Sequence, residues 1–216
     1  MDRHISIPTL RRLPVYYQIV SQALESGEEY ISSNTIAKIL EVDDTQVRKD
    51  IAAIGYYGKP RSGFEIKSFK IHLEDFLDLK TKRQAFLIGA GNLGVALAKY
   101  GGFDKFGLEI AALFDNDPHK IDLKIGDKQV YPIYKLHELV KEMNVEIIVL
   151  AVPAESAQEV VDFAINAGIK AIWNFAPLNP KVPDGILKWN QDLAANFITL
   201  SLLLSQNKII TESISL

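Results

Sequence analysis

A six-residue glycine motif, Gly89-Ala90-Gly91-Asn92-Leu93-Gly94, constrains the fold of this chain more than any other feature. An apolar run over 85–88 precedes the motif, and an alanine-rich stretch over 95–98, typical of a helix, follows it. A second apolar run ends in Asp115, about 20 residues beyond the last glycine. This order of strand, glycine turn, helix, strand and acid is typical of a parallel sheet that binds a dinucleotide.

The motif also predicts which residues contact the ligand. Glycines let the backbone approach a pyrophosphate, whose charge lies at the N-terminus of the following helix. Asp115 is placed to accept hydrogen bonds from the adenosine ribose. Because Asn116 and Asp117 are not cationic, the 2′-phosphate of NADP(H) would meet negative charge there. We therefore expect NAD(H); the alternative is a glycine-rich turn of another α/β domain that binds nothing at this place.

Composition narrows the class of protein. The 216 residues, 48% hydrophobic and 24% charged, suffice for two folded domains. No apolar run approaches the roughly 18 residues that a membrane span needs, and the N-terminus lacks an apolar signal core. We expect a cytoplasmic protein that does not contact a membrane. Because the chain has no cysteine, any redox response would have to be carried by a bound cofactor.

The region before the glycine motif is rich in helical patterns. Pro14 is expected in the first turn of one helix, and Ser32-Ser33 precede a second. Asp43, with Gln46 three residues later, resembles a capping box for a third helix over 45–54. That third helix would bury one stripe of side chains, Val47, Ile51 and Ile54, and expose the opposite face, Thr45, Arg48, Lys49, Ala52 and Ala53.

Two short helices joined by a short turn, the second with donors and small residues outward, have the geometry of a DNA-binding helix-turn-helix. The segment from Arg48 to Lys70 has six basic residues against two acidic ones. Within it, the basic turn over 56–64 suits the wing of a winged helix, with Lys59 and Arg61 near the minor groove or the DNA backbone. Plain helical packing with solvated charges would give the same pattern.

After the glycine motif, strand and helix patterns alternate. We predict strand 85–89, helix 92–100, strand 109–115, a segment over 119–132, helix 135–143, strand 146–152, helix 154–167 and strand 170–175. In a sheet of this kind, residues at the carboxyl ends of the strands line the ligand crevice. Those residues are Val152, Pro153, Asn174, Phe175, Ala176 and Pro177, although proline commonly ends strands that bind nothing.

The sequence offers no convincing active site. The histidines His4, His72, His119 and His137 are scattered and lack the spacing of metal ligands. Tyr131 and Lys135 form the Tyr-x-x-x-Lys pattern of some reductases, but Pro132 opposes the helix that would align them. No serine, histidine and aspartate set or carboxylate pair is evident. A nucleotide fold without catalytic groups indicates a sensor, and a small NAD-dependent oxidoreductase is the weaker alternative.

A helix-turn-helix joined to an NAD-binding fold resembles the Rex family of redox-sensing transcriptional repressors, over essentially the whole chain. The matching stretches are Arg12-Leu13-Pro14-Val15-Tyr16-Tyr17, Val47-Arg48-Lys49-Asp50, the glycine motif with Ala96-Leu97 and Tyr100, Phe114-Asp115, Ala151-Val152-Pro153-Ala154, Ala167-Gly168-Ile169-Lys170 and Asn174-Phe175-Ala176-Pro177. The resemblance implies a homodimer that binds a palindromic, double-stranded operator through two winged helices. It also implies that NADH releases the DNA, that NAD+ permits repression, and that the C-terminal helix is exchanged between subunits.

These inferences define the expected sites and domains. Nucleotide contacts are predicted at the glycine motif, the crevice residues above, Asp115, Asn116 and, from the resemblance, Tyr100 and Asp192. DNA contacts are predicted at Arg11, Arg12, Ser33, Thr45, Gln46, Arg48, Lys49, Lys59 and Arg61. The predicted domains are a winged helix over 1–80, a Rossmann-type domain over 81–190 and a dimerisation helix over 191–216. The apolar part of that helix, 197–204, must either cap its own sheet or pack on a partner subunit.

The chain also departs from the family pattern. Gln18 replaces an arginine that, in the family, follows the paired tyrosines and couples the nicotinamide to the DNA-binding domains, with Tyr100 and Asp192 as partners. The third helix and the wing differ at 51–54 and 59–64. A neutral glutamine cannot supply the arginine's charge. A regulator of the same fold with a weakened or different nucleotide response is therefore the second alternative.

Overall fold

A computed structural model of the chain describes residues 5–205. His4 and the last part of the predicted dimerisation helix, 206–216, lie outside the described residues. The described chain divides into two compact units between Lys80 and Thr81. The second unit continues past residue 190, and the dimerisation helix predicted over 191–216 stays a prediction.

The first unit is a small helical domain with a short antiparallel strand pair. Its elements are α1 Ile7–Glu25, β1 Tyr30–Ile31, α2 Ser33–Leu40, α3 Asp44–Ala53, β2 Phe64–Glu65 and α4 Ile66–Phe76. The stripe predicted for α3 is confirmed, because Val47 and Ile51 are completely buried and Ile54 is nearly so. They pack in one core with residues of α1, α2 and α4, including Leu13, Tyr16, Ile36 and Phe69. Helices around a β1–β2 pair form a winged-helix arrangement.

The start of α1 differs from the prediction. The helix begins at Ile7, where the Ser6 side chain accepts a hydrogen bond from the Thr9 amide, and Pro8 occupies its first turn. Pro14 therefore lies inside the helix rather than at its start, where its missing N–H removes one helical hydrogen bond. It is therefore Pro8, and not Pro14, that occupies the position of a helix start.

The second unit is built on a seven-stranded sheet in the order β5-β6-β4-β3-β7-β8-β9. Its elements are β3 Arg83–Ile88, α5 Asn92–Ala98, β4 Leu108–Asp115, β5 Lys124–Ile125, β6 Lys128–Pro132, α6 Leu136–Met143, β7 Ile147–Leu150, α7 Ala154–Ala167, β8 Ala171–Asn174, β9 Leu187–Asn190 and α8 Leu193–Ser205. All neighbours pair in parallel except the β5–β6 hairpin. From β6 to β9 this is the doubly wound order of a Rossmann fold, which reverses between β3 and β7.

Two parts of this sheet were not predicted. The segment over 119–132 contains the β5–β6 hairpin, and β9 pairs with β8 at the other edge. Both edges consist of short strands with lysine and other polar residues, so they lack the apolar run that marks a buried strand. The helix predicted over 92–100 ends at Ala98, and the one predicted over 135–143 begins at Leu136 after a 3-10 turn.

The last described helix, α8, buries none of its residues. Phe197, Ile198, Leu200 and Leu204 are each more than 60% exposed. The expectation that this helix might cap its own sheet is therefore wrong for the part of the chain that the structure describes. The apolar side chains of α8 are therefore mostly exposed in the described part of the chain.

Candidate nucleotide site and nucleic-acid interface

The three glycines of the motif have three different structural roles. Gly89 has a φ of +104°, and a Cβ there would lie 2.4 Å from the Ala151 carbonyl oxygen. A Cβ on Gly94 would lie 1.8 Å from the Gly89 carbonyl oxygen, so only glycine lets α5 pack this closely on the turn. A Cβ on Gly91 would meet no protein atom within 4 Å. The turn therefore presents one open backbone face, which suits the approach of a pyrophosphate.

Asp115 is joined directly to this turn. Its carboxylate accepts hydrogen bonds from the Ala90 amide at 2.8 Å, the Asp117 amide at 2.9 Å and the Lys120 ammonium at 3.1 Å. Burial alone would raise the pKa of Asp115, but the two amides and Lys120 together hold it below its usual value. The carboxylate is therefore ionised at neutral pH, and it is 8% exposed at the end of β4.

The carboxyl ends of the central strands meet at this place. The Gly89 amide donates to the Phe114 carbonyl, the Ala151 amide donates to the Ile88 carbonyl, and the Phe175 amide donates to the Leu150 carbonyl. The Val152 side chain would be 3.0 Å from a Cβ on Gly89. Hence the structure brings the glycine turn, Asp115 and the chain after β7 and β8 to one edge of the sheet.

Asn174, at the end of β8, is buried beneath this edge of the sheet. The residue is 1% exposed, its amide donates to the Leu178 carbonyl and to Asn190 Oδ1, and its oxygen accepts from the Ala176 amide. Ala176 is also buried, whereas Phe175 is half-buried and Pro177 is exposed. The contacts of Asn174 shape the loop after β8, and the prediction that Asn174 and Ala176 line the crevice stays a prediction.

Tyr100 and Asp192 lie outside this constellation. The exposed Tyr100 ring contacts Phe103 edge-on at 4.9 Å, and from there aromatic contacts continue through Trp173 to Phe175. Asp192 accepts a hydrogen bond from the Ala195 amide in the first turn of α8. Within residues 5–205, Tyr100 and Asp192 share no hydrogen bond. Gln18, at the position of the family's arginine, is an exposed residue of α1 in the first unit.

The outward face of α3 carries three of the predicted DNA-contacting residues, Thr45, Arg48 and Lys49. Asp43 caps the helix by accepting from the Thr45 amide at 2.7 Å. Arg48 is held by ion pairing with Asp44 and by a 3.3 Å contact with Ser33 Oγ at the start of α2. Lys49 is exposed beside it. Because Arg48 contacts Ser33, the start of α2 and the outward face of α3 place hydrogen-bond donors next to each other.

The wing is a tight hairpin locked by its own backbone. Lys59 and Gly63 exchange two hydrogen bonds, and a Cβ on Gly63 would lie 2.5 Å from the Ile31 carbonyl oxygen. Arg61 occupies the tip with a φ of +67°, a conformation unusual for a residue other than glycine. Between α3 and the wing lies a groove of about 500 Å³. Its lining residues are Ser32, Ser33, Arg48, Ala52, Tyr56, Tyr57, Gly58, Lys59, Pro60, Arg61, Gly63 and Phe64.

Sequence reasoning missed several members of these sites. The cation next to Asp115 is Lys120, which lies five residues along the chain rather than at 116 or 117. Tyr57, in the wing, is 70% exposed and was not among the predicted DNA contacts. In contrast, Arg12 and Gln46 both donate to the buried carboxylate of Asp50. The predicted capping box is thus only half formed, because Gln46 does not return to the helix start.

No enzymatic or metal centre is found in the described part of the chain. Within residues 5–205, no cluster of three His, Asp or Glu side chains could hold a metal ion. Tyr131 lies in β6, which ends at Pro132, and Lys135 lies in the 3-10 turn that follows, so no helix aligns that pair. None of the described helices has both the length and the apolar character that crossing a membrane would require.

Comparison with known proteins agrees with this two-part architecture. Family models described as "CoA binding domain" and "Putative DNA-binding protein N-terminus" match residues 80–178 and 4–52. The redox-sensing transcriptional repressor Rex of Treponema denticola is 41% identical, over 93% of this chain and 96% of that protein. The one of Clostridioides difficile is 38% identical, over 96% and 99%.

Solved structures extend the similarity to three dimensions. The crystal structure of RSP, a Rex-family repressor, in complex with beta-NAD+ and operator DNA has a TM-score of 0.89 at 32% identity, covering 94% of both chains. The complex of RSP with beta-NADH has a TM-score of 0.85, covering 94% of this chain and 95% of the other. The predicted fold class, a winged helix followed by a Rossmann-type domain, is thereby confirmed, and so is a regulator rather than an oxidoreductase. The chain belongs to the Rex family of redox-sensing transcriptional repressors.

Proposed function

We propose that this protein binds operator DNA as a homodimer and is released from it by NADH. The observation that carries the proposal is the glycine turn with one open face, joined through Ala90 to the ionised carboxylate of Asp115. Membership in a family of repressors, with relatives solved in complex with NAD+, NADH and operator DNA, supports it.

The residues at the sheet edge fit NAD(H). The open side of Gly91 would admit the pyrophosphate, and Asp115 would accept hydrogen bonds from the ribose hydroxyls. Val152, Pro153 and Phe175 would flank the nicotinamide end at the carboxyl ends of β7 and β8. The nicotinamide ring of NAD+ carries a positive charge that the reduced ring lacks, and this difference is what a sensor without catalytic groups must detect.

For the DNA, we propose that α3 enters the major groove with Lys49 and Thr45 towards base edges. Ser33 and Arg48 would hold the phosphates beside it, since hydroxyls and guanidinium groups are common phosphate ligands. The wing would place Arg61 in or near the minor groove. The DNA strand between the major-groove and minor-groove contacts would lie in the groove between α3 and the wing, which Ala52 and Tyr57 line.

The dimer is proposed from the uncovered surface of α8. A second copy of the chain would cover its exposed leucines and Phe197, as subunit exchange of this helix would achieve. Two winged helices related by a two-fold axis would then match a palindromic operator. We place this activity in the cytoplasm, without a membrane partner, because the protein must have access to DNA.

The test is an operator-binding titration with the intact protein, with NADH and NAD+ added side by side. Fluorescence anisotropy of a labelled operator should show release by NADH at concentrations at which NAD+ leaves the complex intact. A duplex of scrambled sequence serves as the control for non-specific binding. Equal binding to the operator in both nucleotides would contradict the sensing role, even if DNA binding itself is specific.

A further inference from the structure

The first unit contains a buried charged cluster that DNA binding and nucleotide binding do not by themselves explain. Asp50, on the inner side of α3, is 1% exposed. Its two oxygens accept five hydrogen bonds, from Thr9 Oγ1, Arg12 Nε, Arg12 Nη2, Tyr16 Oη and Gln46 Nε2, at 2.6 to 2.9 Å. Four of these five donors belong to α1, so one carboxylate joins α1 to α3, the helix predicted to contact DNA.

The electrostatics of the cluster require the ionised form. Burial would raise the pKa of Asp50, but the bonds from Arg12, Tyr16, Gln46 and Thr9 hold it below its usual value. A carboxylate has about four lone-pair directions, so these donors occupy its full capacity. The Arg12 side chain is itself only 15% exposed. Because a buried charge is costly unless it is paired and hydrogen-bonded, each partner depends on the others.

The location of the cluster determines what it controls. Asp50 follows Lys49 directly, and Thr9 also bonds the Ser6 side chain that caps α1. The apolar stripe of α3 holds the helix in the core without a directional preference, whereas hydrogen bonds fix orientation and register. The Asp50 bonds therefore set the rotation and axial position of α3 against α1, and with them the position of Lys49.

We propose that Asp50 is a positioning residue for DNA reading, and that Arg12 and Gln46 act through it rather than by contacting DNA. This inference rests on the proposed DNA-binding function. It reverses the role predicted for both side chains, which in sequence look like solvent-facing donors. A phosphate contact by Arg12 is the competing explanation, and the two differ in their dependence on salt.

Counterion release distinguishes the two roles. Each phosphate neutralised by a cation contributes about 0.9 to the slope of log affinity against log salt. The double variant Arg12→Gln/Asp50→Asn removes both charges of the pair and leaves no unpaired buried charge. We expect it to bind the operator at least tenfold more weakly, with the salt slope and the affinity for a scrambled duplex unchanged. Lys59→Gln, at the exposed wing, is the matched control and should lower the slope by about 1.

Thr9→Val provides a milder test that does not risk the fold. Thr9 is buried, and valine keeps its shape while removing the hydroxyl that donates to Asp50 and shares a hydrogen bond with the Ser6 side chain. We expect a loss of operator affinity of several-fold, with scrambled-duplex binding, NADH affinity and the thermal midpoint of the second unit unchanged.

The outcomes separate this inference from the proposed function. If the double variant loses about 1 in salt slope while its operator-to-scrambled affinity ratio stays constant, Arg12 is a phosphate contact and the inference is overturned. Operator affinity unchanged in Thr9→Val also overturns it. If the unaltered protein fails to distinguish the operator from the scrambled duplex, the proposed function itself fails, whatever the variants do.

Discussion

Replacing Gly91 or Gly94 by alanine should separate ligand binding from folding within a single motif. Both glycines belong to the same turn and lie three residues apart, and the change adds one methyl group in each case. The two methyl groups would enter opposite environments, open space at Gly91 and packed backbone at Gly94. Their effects should therefore differ in kind.

For Gly91→Ala we expect a folded protein that binds NADH poorly. The residue has a φ of −79°, which alanine adopts without strain, so the free energy of unfolding should change by less than about 1 kcal/mol. The methyl group, however, would occupy the face that the pyrophosphate approaches. We expect at least a tenfold loss of NADH affinity, which corresponds to about 1.4 kcal/mol.

For Gly94→Ala we expect a loss of stability. The added Cβ would lie 1.8 Å from the Gly89 carbonyl oxygen and 2.9 Å from a Leu87 methyl carbon, so α5 must move away from the sheet. Overpacking of this kind costs about 1–3 kcal/mol, against a gain of about 1 kcal/mol in helix propensity. Because the contact is with backbone, which cannot rotate away, we expect a net cost of about 2 kcal/mol.

Thermal unfolding and NADH titration on the same preparations check both expectations. A cost of about 2 kcal/mol should lower the midpoint of the second unit by roughly 4–8 °C. Wild-type NADH affinity in Gly91→Ala would show that the open face is not the dinucleotide site. An unchanged midpoint in Gly94→Ala would refute the packing argument.

Four further predictions concern other parts of the molecule. Asp115→Ala should weaken NADH binding by about 1.5–3 kcal/mol in calorimetry, and unchanged affinity would disprove the ribose assignment. Gln18→Arg should lower the NADH concentration that releases the operator, whereas an identical release curve would speak against weakened coupling at this position. Arg61→Gly should weaken operator binding while changing the unfolding free energy by less than about 1 kcal/mol, since glycine accepts the positive φ; a folded variant with full affinity would remove the wing tip from the interface. Because the pKa of Asp50 is lowered on folding, its stabilisation is complete above the ordinary pKa near 3.9 and is lost as the pH falls through the folded value. Urea unfolding at pH 7 and at pH 3 should thus show a smaller difference in Asp50→Asn than in the unaltered protein, and equal differences would contradict it.

The sequence predicted those parts of the fold whose signal is local. The central strands β3, β4 and β7 each contain an apolar run, and the glycine spacing has few other uses, so the parallel sheet could be predicted from them. The edge strand β9 could not be predicted in the same way, because its stability depends on pairing with β8 rather than on its own four residues.

The sequence located the glycine turn and Asp115, which the structure joins through the Ala90 amide, because their chemistry and their position along the chain coincide. The site was not predictable where a polar side chain turns inward. Arg12 and Asn174 have the residue types of ligand contacts, but their partners are Asp50 and the loop after β8, far away in the chain or formed only by the fold. Which way such a side chain points depends on tertiary packing, which spacing along the chain does not encode.

The division between Lys80 and Thr81 has a genetic consequence. Each unit has its own buried core, so damage to one need not unfold the other. Loss-of-response alleles that keep promoter occupancy should therefore collect in the second unit, around the glycine turn and the strand ends. Such constitutively repressing alleles would be dominant over a wild-type copy wherever mixed dimers form.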